Sequence, residues 1–372
     1  MIETSTDIGA FAATWPTLSD IGGDGPRSYP FQCRDHLEIW LETIGAASGV
    51  RPLFVRVSNR KGEPLLSIPL GIQRRAGIRV LGFLDGGVCD YNAPVIHAAA
   101  AEFPRQDMLA VWASILQTAP AFDVASLQKI PEFVAERSNP LHWLAAERWP
   151  QSGHFVSLKA ADGPIEAKGD VKESRRRRQR LSEIGKLAFH IARDDGEILN
   201  VFEIFVRQKS RRYRETLGHD GFDVPGQRSY YLELTRRLSG RGVQLSWLSV
   251  GEEVIATAWS LVTGPCLYYM MCAYEDGAWA KFAPGRLLLE ELIGWCPRNG
   301  IETFDFGIGD ESYKLRWRQT SFPLGGRTQP RTMAGSIWRA AVRTRAALRR
   351  RLREGSAAGR PVGCRQGSKL PS

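Results

Sequence analysis

The chain has 372 residues, 43% hydrophobic and 24% charged, with eleven Trp and sixteen Phe. That length exceeds a single compact core, so two domains are expected and disorder is excluded for most of the chain. The formal charge of +10 resides in the tail, where Arg331 to Ser372 hold eleven bases against one acid, Glu354, while residues 1–330 balance 39 against 39. A neutral body argues against nucleic-acid binding, and no DNA partner is expected.

Six cysteines (Cys33, Cys89, Cys266, Cys272, Cys296 and Cys364) stand far apart without a C-x-x-C pair. Reduced thiols in a cytosolic protein are the expectation. The opening "MIETSTDIGAFAATW" carries acids and no base before its apolar part, so no secretory leader is read.

In chain order, a helix is expected at Asp35–Ser48. Strands follow at Leu53–Ser58, Pro64–Gln73 and Arg79–Leu84, joined by turns at Lys61-Gly62 and Ala76-Gly77, an antiparallel meander. "GVCDYNAPVI" (Gly87–Ile96) comes next, with Asp90 and Tyr91 just past a Gly-Gly turn. A second helix is expected at Phe103–Thr118. The middle segment "GDVKESRRRRQRLSEIGKLAFHIARDD" reads as a helix ending at Gly185 and a strand from Leu187. Its run Arg175–Arg178 plus Arg180 is read as a solvated face bridging two domains, or as a clamp for phosphate or carboxylate.

The second half repeats the plan of the first. Helices are expected at Glu197–Lys209 and Arg228–Leu238, before "VQLSWLSVGEEVIATAWSLVTGPCLYYMMCAYE". Val254–Tyr274 holds twenty-one residues without a charge, long enough to cross a membrane. Gly264-Pro265 interrupts it, and each side is rich in Val, Thr, Tyr and Trp, so two buried strands and a turn are expected. "KFAPGRLLLEELIGWC" then begins a helix at a Pro-Gly elbow. Bare amides at its start, with Lys281 and Arg286 nearby, suit an anion such as a diphosphate.

After a strand at Thr303–Phe306 comes "FDFGIGDESYKLRW". Ser312 stands where a dinucleotide loop needs its third glycine, and no lysine falls at the Walker spacing. Its glycines instead hinge a turn into a short helix with Asp310 and Glu311 near the start. Acid, phenol and ammonium groups meet at a strand's C-terminal end, where open α/β sheets place their sites. His154, His190 and His219 lack metal spacing, and no metal is expected.

This order of meander, elbow, strand and acid-Tyr-Lys corner resembles the GNAT acyltransferase superfamily, in particular the CelD/BcsL type named for cellulose biosynthesis, which shares its tandem architecture with the FemAB peptidyltransferases. The resemblance rests on "GVCDYNAPVI", "RRRRQRLSEIGKLAF", "APGRLLLEEL" and "FDFGIGDESYKLRW", and spans roughly Asp35 to Trp317. It implies an α/β (α+β) protein of two tandem GNAT-like domains, each a mixed, largely antiparallel sheet flanked by helices. Residues 1–164 then form a degenerate N-terminal domain, 165–330 the acyltransferase domain, and 331–372 a basic amphipathic and disordered tail.

The implied co-substrate is acetyl-CoA or another acyl-CoA, with Ala283, Pro284, Gly285 and Arg286 around its diphosphate. Phe282 and Leu287 depart from the polar and small residues usual in that loop, which leaves room for an aminoacyl-tRNA donor. Acyl transfer to an amine needs a base, a polarised carbonyl and an acid for the thiolate. Asp305 or Glu311 is the expected base, Tyr313 the acid and Lys314 the anion stabiliser, with backbone amides of Met271, Cys272 and Ala273 as oxyanion site. Asp90 and Tyr91 are read as lining an acceptor cleft between the domains.

The expectation is therefore a cytoplasmic acyl-CoA-dependent N- or O-acyltransferase acting on a sugar or amino sugar in polysaccharide or envelope assembly. Two other readings stand beside it: a tRNA-dependent aminoacyltransferase, and a non-catalytic scaffold of the same fold. The tail helix "SIWRAAVRTRAALRRRLR" (Ser336–Arg353) is read as a solvated basic extension, or as a helix that touches acidic partners or lies on an anionic membrane surface, peripheral to its inner face.

Overall fold

The structure is a computed structural model describing residues 1–100, 103–159 and 171–357; Cys364 and the last part of the tail lie outside the described residues. The first half supplies β1 (Ile2–Ser5), α1 (Arg34–Trp40), which runs through a π-turn into α2 (Ala46–Ser48), and the meander β2 (Arg51–Ser58), β3 (Pro64–Arg75) and β4 (Ile78–Phe83). Then come β5 (Val95–Ile96), α3 (Asp107–Thr118), β6 (Val124–Pro131), a short hairpin of β7 (Phe133–Val134) and β8 (Arg137–Ser138), β9 (Glu147–Arg148) and β10 (Gly153–Ser157).

The second half opens with α4 (Val171–Ile184), β11 (Leu187–Ile191), α5 (Asp195–Leu217) and α6 (Gln227–Leu238). Its meander is β12 (Val243–Val250), β13 (Glu253–Thr263) and β14 (Cys266–Tyr274), followed by α7 (Pro284–Trp295) and β15 (Thr303–Ile308). β16 (Thr320–Phe322), β17 (Leu324–Pro330) and the tail helix α8 (Met333–Ala357) complete the described chain. The charge-free stretch 254–274 is thus a hairpin. Its turn glycine Gly264 has φ +51°, a left-handed conformation that glycine adopts without steric cost.

Two mixed sheets result. The first runs β1-β2-β3-β4-β6-β17-β9, with β5 also on β3, and the second runs β11-β12-β13-β14-β15-β10-β16. Each has one parallel contact, β4 with β6 and β14 with β15, the rest of the pairing being antiparallel. The expected mixed, largely antiparallel sheets flanked by helices are present in both halves.

The expected border at 164/165 lies outside the described residues, and the strands on either side of it exchange sheets. β10, from the first half, pairs with β15 and β16, while β17, from the second, pairs with β6 and β9. Alternating side chains tell which face of a strand is buried but not which neighbour it pairs with, so this exchange is invisible locally.

The cores follow the same logic. One continuous cluster joins Phe54, Leu66, Trp112 and Leu127 of the first half to Phe205, Tyr230, Trp259 and Met271 of the second. A second cluster lies on the other face of the second sheet, with Leu287, Leu288 and Leu292 of α7 against Leu248, Ala258, Phe304 and Phe306. Among the described residues the second sheet is therefore a partition, with α4 and α7 on one side and α5, α6 and the core of the first half on the other.

Candidate active site

The parallel ladder between β14 and β15 covers only Cys266–Tyr268 against Thr303–Asp305. β14 continues to Tyr274 paired with β13 alone. The two strands thus part, leaving one edge of residues 269–274 without a ladder neighbour. A bulge sits in that stretch: Trp259 pairs with Met271 and Ser260 with Tyr269, so Met270 is the extra residue. Bulges re-aim a strand and leave backbone groups outside the ladder, and this one lies directly before Met271, Cys272 and Ala273.

The elbow of α7 closes on the same edge. Pro284 takes the first helical position, which needs no backbone donor. Ala283 before it has φ +49°, a conformation costing a residue with a Cβ about 1–2 kcal/mol. A Cβ on Gly285 would come 2.7 Å from Tyr274 Cδ1 and 3.3 Å from Cys272 Sγ, so only glycine lets the helix start this near the strand. Arg286 donates to Glu290 (3.0 Å), which also accepts from Ser174 (2.7 Å) and Arg178 (2.8 Å). Arg178 further pairs with Glu291 at 3.0 Å. This arginine is docked on α7 rather than solvated. Phe282 and Leu287 are both buried.

Two cations at this edge escaped the sequence reading. Arg212 of α5 lies 4.7 Å over the Tyr274 ring, and Lys209 Nζ is 3.5 Å from the Cys272 carbonyl oxygen. The expected helix stopped at Lys209, whereas α5 runs to Leu217. The signal lay in "RQKSRRYR", whose cations continue the helical pattern.

Across the gap, Gly307 (φ +71°) and Gly309 (φ +121°) bend the chain back over itself. The expected short helix is a single 3₁₀ turn, Lys314–Arg316, preceded by a turn at Ser312 and Tyr313, with Asp310 and Glu311 in the irregular segment before it. The reason is the buried ammonium of Lys314. It donates to the carbonyl oxygens of Gly307 (3.2 Å), Ile308 (3.3 Å) and Gly309 (2.8 Å), and lies 2.8 Å from Glu311. Those contacts gather the backbone around one charge instead of into a helix. Tyr313 packs edge-on to Phe306, and burial pushes its phenol well above the ordinary range.

Asp305 points the other way. Phe304 and Phe306 belong to the α7 side, whereas Asp305 between them faces the first half of the chain, as strand alternation requires. Its Oδ1 accepts from the Tyr91 hydroxyl (2.9 Å) and the Gly307 amide (2.6 Å). Burial raises this carboxyl to about 7, with nearby Asp90 adding to the rise. Tyr91 is fully enclosed, its ring 4.8 Å from Tyr29 and 5.5 Å from Phe322. Asp90 is also buried, close to the Asp85–Lys129 ion pair, which closes at 2.8 Å.

One further chain of polar groups went unread. His154, on β10, has Nε2 3.0 Å from Asp310 Oδ1 and Nδ1 3.0 Å from Ser321 Oγ. The histidine is buried, but Ser321 and Asp310 are exposed. The pairing of β10 with β15 on one side and β16 on the other brings them together; nothing in their spacing of 156 and 167 residues suggests it.

The site thus has two sides: Tyr313, Glu311 and Lys314 with the elbow and the parted strands, and Asp305 with Tyr91 and Asp90 at the junction of the halves. Residues 170–315 match the family model described as an acetyltransferase (GNAT) domain. No curated protein matches the chain significantly. Among solved structures it is similar to FemX, at 12% identity and TM-score 0.56, covering 88% of this chain and 97% of that one. It is also similar to L-PGS from Bacillus licheniformis, at 14% identity and TM-score 0.50 over 85% and 97%. A conserved protein of unknown function from Bacteroides thetaiotaomicron stands at 10% and 0.50 over 89% and 99%. At such identities the likeness concerns the fold, which these structures share along most of their length. The second half of the chain carries a GNAT-fold domain, and the protein is an acyltransferase.

Proposed function

We propose that the enzyme transfers an acyl group, acetyl in the simplest case, from acyl-CoA to an amine or hydroxyl of a sugar or amino sugar in polysaccharide or envelope assembly. The observation that carries the donor half is the parting of β14 from β15 after three paired residues. A gap of that kind takes an extended thioester arm between two strand edges. The elbow at Ala283, Pro284 and Gly285 is read as taking the diphosphate, and Tyr313, buried beside Phe306, as meeting the leaving thiolate. The acceptor class rests on the resemblance to the cellulose-biosynthesis type.

In this reading the amides near the Met270 bulge, from Met271 to Ala273, polarise the thioester carbonyl as the nucleophile adds to it. Collapse expels the thiolate, and Tyr313, held protonated by burial, gives it a proton. Glu311, Asp305 and the Ser321–His154 pair are the groups able to take the proton of the nucleophile. Ser321 is the exposed member of this set, and its hydroxyl leads inward to His154. Lys314 positions the corner rather than meeting the oxyanion, because three carbonyls and Glu311 surround it.

An aminoacyl-tRNA donor is the second reading. It is favoured by the engagement of Arg286 with Glu290, which commits the elbow's own cation, and by Lys209 and Arg212 beside Cys272 and Tyr274 of the same strand edge. A thermal-shift screen separates the two. Protection by CoA and acetyl-CoA, abolished in Gly285→Val, supports the first. Protection by charged tRNA alone supports the second, and protection by neither removes both.

A further inference from the structure

Helix α8 is anchored by one side of its first turns. Gly335 lies directly on the Asp123 backbone, where a Cβ would meet the carbonyl oxygen, and Trp338 and Arg339 are half-buried. Arg343 pairs with Glu147 of β9 at 2.5 Å. At about 100° per residue, Met333, Ile337, Ala340, Ala341 and Thr344 fall on the opposite side of the helix, facing away from the body. Met333 is 85% exposed and Ile337 69%.

Large apolar side chains held in water on a stripe directed outward are unfavourable unless something covers them. The flanks say what. Arg345 borders the stripe on the side away from the Arg343–Glu147 pair, and Arg349, Arg350, Arg351 and Arg353 follow along the helix against Glu354. Seven arginines and one acid over Met333–Ala357 suit a layer of negative charge laid over an apolar interior.

We propose that α8 docks this enzyme on an anionic lipid surface, with Met333 and Ile337 entering the headgroup region and the flanking arginines against lipid phosphates. Nucleic acid would engage the arginines but leave Met333 and Ile337 in water. A second copy of the chain would set two strongly cationic helices against each other. The inference stands apart from the identity of donor and acceptor.

The test is co-sedimentation of the full-length protein with phosphatidylcholine vesicles, with and without phosphatidylglycerol. Binding is expected only with the anionic lipid, weakening as salt rises. The double variant Met333→Asp/Ile337→Asp should bind at least about tenfold more weakly with an unchanged thermal midpoint, since both side chains are exposed. Arg345→Gln/Arg349→Gln should weaken it less, each charge being one of several. Failure of the wild type to bind anionic vesicles overturns the proposal. So does unaltered binding of the double Asp variant, which would mean adsorption by charge alone. Lipid-free self-association that the same variant abolishes would assign the stripe to a second copy and equally overturn it.

Discussion

The hydroxyl of Tyr91 donates a 2.9 Å hydrogen bond to Asp305, joining residues 214 apart in sequence and tying the first half of the chain to β15, which borders the gap beside β14. Both partners are buried. A carboxyl in that position is expensive to ionise, and its few polar contacts decide how the halves meet.

Tyr91→Phe should therefore destabilise the protein by about 1–3 kcal/mol, the range for a buried acceptor losing a donor. Because the phenol favours the ionised carboxyl, its loss should also move the Asp305 titration upward. Urea unfolding of both proteins at several pH values measures the two effects together; parallel curves would show that Asp305 ignores Tyr91.

Asp305 itself gives a pH dependence of definite sign. Its pKa is raised in the folded state from the ordinary carboxyl range to about 7, so between about pH 4 and 7 the native protein holds a proton that the unfolded chain has released. Stability from this group is full at acid pH and is lost as pH rises through 7. Asp305→Asn, which cannot ionise, should flatten that slope and exceed the wild type above pH 7 by about 2–4 kcal/mol. Thermal midpoints that keep the wild-type slope would show that the carboxyl does not titrate there.

Lys314→Met should be among the most damaging single changes. It leaves three backbone carbonyls and Glu311 without their buried cation, at a cost of about 3–5 kcal/mol. Adding Glu311→Gln should recover part of that loss, since the stranded charge disappears. A double variant no more stable than the single one would mean that Glu311 is solvated once Lys314 is gone.

Gly285→Ala probes the elbow without touching a charge. The added methyl meets the Tyr274 ring at 2.7 Å, so the ring or the helix start must shift, at about 1–3 kcal/mol. Protection by CoA should fall more than stability does. Equal protection in variant and wild type would place the diphosphate elsewhere.

For the Ser321–His154–Asp310 chain, Asp310→Asn, Ser321→Ala and His154→Gln should each lower turnover at neutral pH by about 10²–10⁴-fold, the span of general base catalysis. CoA protection should persist in all three, because none lines the donor gap. Turnover within twofold of wild type in every variant would assign the chain a structural role and return the base to Asp305 or Glu311.

Much of the donor side was legible locally. The hairpin turns at Gly251 and Gly264, the Pro284-Gly285 helix start and the strand running into Gly307 each follow from neighbouring residues. Their causes, steric freedom at glycine, the missing proline donor and strand alternation, act over a few positions. The length of α5 was misjudged because cations continue a helix as well as apolar residues do, and a hydrophobic count stops too soon.

By itself the sequence determined both meanders and the helices beside them, the two-fold repeat of meander, helix and strand, and the confinement of excess charge to the tail, since propensity, periodicity and charge are properties of short windows. The tertiary structure alone decided that β10 and β17 change sheets, that Tyr91 meets Asp305, that His154 stands between Asp310 and Ser321, and that the apolar stripe of α8 faces outward. The physical reason is that strand alternation leaves the pairing partner open, so which edge meets which is settled only when all edges and cores are satisfied at once.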